Sequence, residues 1–170
     1  MKKTMTVLAI AGLCAMSAGA SAATDSSRGT INWSGTVPGV IPGSSIIVTG
    51  AGKGEIQQGT LVVDTDGTFV SKSSVTLESH SYDETQPEAD QIGDLIEATW
   101  SIEDVTVIPA TYNADDIKVS FNGNEVSKGT PLAGVADTIY VEVRNEVAND
   151  QVKPQDTVQV TTTAMASVQA

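Results

Sequence analysis

His80 and Cys14 are the only imidazole and the only thiol in the 170 residues, and together they bound the chemistry the chain can do. A Ser-His-Asp relay needs an imidazole held between a hydroxyl and a carboxylate, and a zinc site needs several His, Cys or carboxylate ligands. His80 opens an acidic stretch, HSYDETQPEADQIGD over residues 80 to 94, with no second His or Cys to share a metal. Carboxylates are abundant, 21 against 9 Lys and Arg, yet nothing in the sequence marks two of them as unequal in environment, as a glycosidase pair must be. Asp83-Glu84, Asp94 and Asp115-Asp116 are acidic enough for calcium but lack the D-x-[DN]-x-[DN]-G spacing with a distal glutamate. GAGKG at residues 50 to 54 has the wrong spacing for a phosphate loop, and no helix pattern follows it; it reads as a flexible turn. The expectation is a protein that is not an enzyme, with no catalytic residue, no metal and no cofactor.

The charge balance excludes another class. A formal charge of −12 repels nucleic acid and anionic lipid. With only two Trp, three Tyr and two Phe, no stacking platform for single strands can be assembled either. No nucleic-acid partner is expected, and the acidic exterior reads as a solubilising surface.

The first 22 residues, MKKTMTVLAIAGLCAMSAGASA, carry a basic start at Lys2 and Lys3, an apolar run from Met5 to Met16 and the small-residue site Ala20-Ser21-Ala22. This is the tripartite pattern of a secretory signal peptide. The apolar run is short of the ~20 residues a spanning helix needs. Leu13 before Cys14 is bulky where a lipobox wants a small residue. Cleavage after Ala22 removes Cys14 with the leader, leaves 148 of the 170 residues, and moves the formal charge from −12 to −14 as Lys2 and Lys3 are lost. A chain of that size folds as one domain on its core alone. The exported chain, starting at Ala23, is expected to contain no disulfide.

Behind the leader the punctuation is that of strands and turns. GTINWSGTV, residues 29 to 37, alternates Ile31, Trp33, Gly35 and Val37 on one face with Thr30, Asn32, Ser34 and Thr36 on the other. Further strands are predicted at 45–49, 55–63, 68–79, 95–108, 117–121, 138–143 and 157–168. Asp66-Gly67 and Asn122-Gly123 predict tight hairpins, because these dipeptides tolerate positive φ. Residues 80 to 94 are expected as a solvated loop, with a short helical turn admitted near Ile92–Glu97. The spacing predicts an all-β sandwich.

The alternating segment sits directly behind the polar leader ATDSSR. An exposed apolar strand is a liability on a free monomer, because an unpaired edge recruits other chains; a protein built to polymerise needs it. GTINWSGTV resembles the N-terminal extension of chaperone-usher fimbrial subunits, which runs Gly-Thr-(Val/Ile)-x-aromatic-x-Gly-x-Val and is matched by Gly29, Thr30, Ile31, Trp33, Gly35 and Val37. The continuation VPGVIPG is similar to that of the cysteine-free fimbriae of enterotoxigenic bacteria. Type 1-like subunits carry a cysteine soon after the motif and a C-terminal aromatic; this chain has Val40, Ile41 and Pro42 and ends AMASVQA, which points to the disulfide-free branch.

The resemblance implies a division into a signal peptide (1–22), an N-terminal extension acting as donor strand (23–43) and a pilin domain (44–170). It implies an immunoglobulin-like β-sandwich that is incomplete and is completed by the donor strand of a neighbouring subunit, a mode of strand addition. Ile31, Trp33 and Val37 would seat in successive pockets, with Gly35 over a shallow one. The C-terminal strand would wall the acceptor groove, and Val158, Val160, Thr162, Ala164, Ala166 and Val168 alternate as a wall should. The implied partners are identical subunits, a periplasmic chaperone, an outer-membrane usher and a host or surface receptor; the implied place is a fimbria on the cell surface. A chain this short has no room for a separate receptor-binding domain, so a major rather than a tip subunit is implied. The alternative is a monomeric secreted β-sandwich that binds sugar or matrix through Tyr82, Tyr112, Tyr140, Trp33 and Trp100. In that case residues 29 to 37 pair within their own sandwich and Trp33 is a core residue beside Trp100.

Overall fold

The computed structural model describes residues 40–168, all within one compact unit. The leader, the candidate donor residues Ile31, Trp33, Gly35 and Val37, and most of the 23–43 extension lie outside the described residues. The β-branched runs form ten strands among the described residues: β1 Ile46–Thr49, β2 Leu61–Val63, β3 Phe69–Ser71, β4 Val75–Tyr82, β5 Ile92–Leu95, β6 Thr99–Ile108, β7 Ile117–Phe121, β8 Asn124–Val126, β9 Thr138–Asn145 and β10 Gln159–Ser167. The helical content described is limited to 3-10 turns of three residues. The protein is all-β, with antiparallel strand pairing throughout its sheets.

The large sheet runs β1-β4-β9-β3-β2, with β5 on β4 and the β7-β8 hairpin on β9. The small sheet contains β6 and β10. Their inner faces meet in a core of Leu77, Trp100, Ile102, Val119, Phe121, Val126 and Ile139, and a second cluster holds Phe69, Tyr112 and Ile117. Trp100, Phe121 and Ile139 have no exposed surface at all. Burying each such side chain contributes roughly 1.5–3 kcal/mol.

Both predicted hairpins form. Asn122 (φ 53°) and Gly123 (φ 78°) turn β7 into β8 with the paired positive φ of a type I′ turn. Gly67 (φ 84°) turns β2 into β3, and a Cβ there would stand 2.7 Å from the Asn149 carbonyl oxygen. Asp66 closes this turn by accepting from the Thr68 amide (3.0 Å) and hydroxyl (2.7 Å). Those hydrogen bonds hold its carboxyl below the usual value.

Other expectations need correction. Of the predicted 55–63 strand only Leu61–Val63 pairs; Gln57, Gln58 and Gly59 are exposed and have no apolar face to bury. The predicted 68–79 strand is interrupted by exposed Lys72, Ser73 and Ser74, so β3 and β4 lie along β9 as two pieces. Residues 80 to 94 are not one loop: β4 continues to Tyr82 and returns as β5, where a helical turn had been admitted. Gly93 permits this return, since a Cβ would collide with the Ser81 hydroxyl. His80, expected in solvent, is therefore only 2% exposed.

Candidate functional site

β10 pairs with β6 along its whole length, from Gln159 opposite Ile108 to Ser167 opposite Thr99, with an irregularity between Thr163 and Ala164. Period-two alternation turns Thr161, Thr163, Met165 and Ser167 to solvent and Val158, Val160, Thr162, Ala164, Ala166 and Val168 inward. All six candidate groove residues are thus on one face. Val158 and Val160 pack against the Phe69–Tyr112–Ile117 cluster, and Ala164 and Ala166 against the main core. None of the six is fully buried; each is half-buried. The Thr162 hydroxyl, in their midst, is shielded and has no hydrogen-bond partner among the described residues.

No second strand pairs with β10 among the described residues. β1 lies against it from the large sheet, with Val48 packed on the main core. Sequence reasoning missed β1 as the facing wall; the apolar run Ile46-Ile47-Val48 was the available signal. Gln159–Ser167 contains no charge and no proline, the two residue types that most often blunt a free edge. Among the described residues no second strand covers the edge from Val160 to Ser167, and its inner side is mostly apolar.

The opposite edge, along β6, is closed by the chain's own residues 128–136. Gly129 donates to the Ile102 carbonyl (2.9 Å), Leu132 to that of Trp100 (2.7 Å), and Ala136 exchanges two 3.0 Å bonds with Ala98. The Trp100 indole donates to the Ala136 carbonyl at 2.8 Å. Lys128 meets Asp104 at 2.6 Å and lowers its carboxyl pKa, first through the hydrogen bond and then through charge. A cleft of about 540 Å³ opens beyond, between β6 and the β7-β8 hairpin. Its rim is polar and ion-paired, Lys118 to Glu146 at 2.7 Å and Arg144 to Glu125 at 3.1 Å.

The aromatic residues considered for a sugar face do not gather. Trp100 and Tyr112 are core residues, the latter bonded by its hydroxyl to the Gly67 carbonyl; Tyr82 is half-buried and Tyr140 exposed. Trp33 lies outside the described residues. No group of three or more His, Cys, Asp or Glu is placed to hold a metal among the described residues. The Gly50–Gly54 turn, expected to be flexible, is tied down by Glu78, which accepts from the Gly52 amide at 2.7 Å. No family model, curated protein or solved structure matches the chain.

Proposed function

We propose that this chain is a structural subunit of a surface fimbria that polymerises by donor-strand complementation, residues 29–37 of one copy seating against β10 of the next. The observation that carries the reading is the β10 edge: uncharged, with no second strand paired to it among the described residues, and lined by six inward residues that are half-buried rather than buried. A strand laid there would complete the backbone ladder and cover the apolar wall. Each large apolar side chain it buried would contribute roughly 1.5–3 kcal/mol.

The strand arrangement supports an immunoglobulin-like sandwich without its last strand. The pairing of β1, β4, β9 and β7 in one sheet and of β6 with β10 in the other is compatible with the four-stranded and the three-stranded sheet of that fold, the second short of one strand. In this reading the third strand would come from a neighbouring subunit and lie beside β10. The alternation of Ile31, Trp33, Gly35 and Val37 in the sequence is that of a strand that would present one apolar face to this place. Export rests on the tripartite leader of residues 1–22, and polymerisation outside the cytoplasm brings in a chaperone to cover the edge and an usher to pass subunits on.

The test is to purify the exported chain and a variant lacking residues 23–37. The full chain is expected to form ladders or fibres resistant to heat in detergent, and the truncated chain to remain single while accepting an added 29–37 peptide. A stable, monodisperse full chain with residues 29–37 paired to its own β10 would instead favour the monomeric secreted module.

A further inference from the structure

The sole histidine does not belong to the β10 groove, and its surroundings are specific. Glu78 and His80 are two residues apart on β4, on the face opposite Leu77 and Ser79. The Glu78 carboxylate oxygen Oε2 accepts from the backbone amides of Gly52 (2.7 Å) and Lys53 (3.4 Å) and lies 3.2 Å from His80 Nε2. His80 Nδ1 lies 3.1 Å from the Gly93 carbonyl oxygen on β5. Lys53 Nζ closes the circuit by donating to the neighbouring Ile92 carbonyl at 2.9 Å. The turn behind β1, strand β4 and strand β5 are thereby joined in one polar ring.

Both ring nitrogens face acceptors, a carboxylate and a carbonyl. A neutral imidazole has one N–H and one lone pair, so in either tautomer one lone pair would confront an acceptor oxygen. Only the doubly protonated ring donates to both. We propose that Glu78 and His80 form a charge-dependent clasp, closed while the imidazole carries both ring protons and loosened when it loses one, which fixes the turn behind β1 to β5.

The turn needs such a clasp. Gly52 (φ 63°) and Lys53 (φ 64°) are consecutive left-handed residues, and the lysine is held where an L side chain costs about 1–2 kcal/mol. The charged groups facing the ring are Glu78 on its own strand and Lys53 from the turn. β5 offers it a carbonyl, with Asp94 exposed; β1 places uncharged Ile47 opposite it. The ring side chain is 3% exposed and the carboxylate 15%, so water does little to stand in for a lost partner. β1 also lies against β10, so loosening the turn frees the end of the strand beside the groove. The clasp stands on its own geometry, whether or not the groove takes a donor strand.

Hydrogen exchange in the exported chain tests it, with the His80 ring resonances, unambiguous in a chain with one histidine, reporting the charge. Protection of the Gly52 amide, corrected for intrinsic rate, is expected to fall about tenfold as the ring loses its proton, the scale of a charged hydrogen bond. In Glu78→Gln the protection should be low and follow no ring titration. Unchanged Gly52 protection across the wild-type ring titration would overturn the proposal, as would the same dependence in Glu78→Gln. If that variant fails to fold, the wild-type titration decides alone.

Discussion

Along β6, the small sheet is closed by the chain's own 128–136 segment, an indole hydrogen bond and an ion pair, while along β10 nine residues without a charge end in no second strand among the described residues. The two edges belong to one sheet and one core, so the difference is not a matter of stability alone. Natural sheets guard free edges because unpaired N–H and C=O groups recruit other chains. Among the described residues the chain covers one edge of this sheet and pairs no second strand with the other, the contrast on which the proposed strand addition rests. The inward face of β10 is half-buried, so an added strand there would bury it further.

Breaking the closed edge should have the largest effect. Trp100→Ala removes the largest fully buried side chain of the core and leaves the Ala136 carbonyl without its indole donor. A loss of roughly 3–5 kcal/mol is expected from a urea unfolding curve. A loss under about 1 kcal/mol would show that segment 128–136 closes the edge without help from the core.

The open edge should respond to bulk by face. Ala166→Leu, on the inner side of β10, is expected to cost assembly roughly 1–3 kcal/mol through overpacking, whereas Thr161→Leu on the solvent side should leave fibre yield unchanged. The donor side sharpens the same contrast. Gly35→Leu should block fibres more than Thr36→Leu, because neighbours in a strand point to opposite faces. Equal yields by sedimentation within either pair would show that the faces are wrongly assigned.

Smaller effects concern charge. Burial alone would raise the Glu78 carboxyl, but the bonds from His80, Gly52 and Lys53 outweigh it and hold its pKa below the usual value. A depressed carboxylate contributes stability that is present above its unfolded pKa and lost as pH falls through the folded one. The Gly52 amide should therefore lose protection in acid as well, and Glu78→Gln should abolish that acid limb. Lys128→Ala, at the exposed rim of the closed edge, is expected to leave the unfolding midpoint unchanged, as isolated surface pairs do. A clear shift would make the ion pair part of the closure.

The sequence was most legible where a local rule has one outcome. The Asn122-Gly123 and Asp66-Gly67 turns formed because Asn122, Gly123 and Gly67 take the positive φ that few other residues accept, and the alternation of β10 puts Val158 to Val168 on one face. It was least legible where tertiary partners overrode composition. His80 reads as loop because acids surround it in sequence, but Leu77 and Ser79 alternate into the core and carry the strand past it, and Gly93 lets β5 return alongside. The 68–79 strand expected from sequence breaks in two because Lys72-Ser73-Ser74 has no apolar residue to anchor a ladder. The apolar run Ile46-Ile47-Val48 signals a strand with a face to bury, but that β1 lies against β10 depends on contacts between residues far apart in the chain.

The central claim is that β10, and not β6, offers the receptive edge. Hydrogen exchange of the chain lacking residues 23–37, with and without an excess of the 29–37 peptide, tests this most directly. The account predicts that the peptide slows exchange across Gln159–Ser167 and leaves Gly129–Ala136 unchanged; β10 amides that ignore the peptide, or slowing confined to the β6 side, would contradict it.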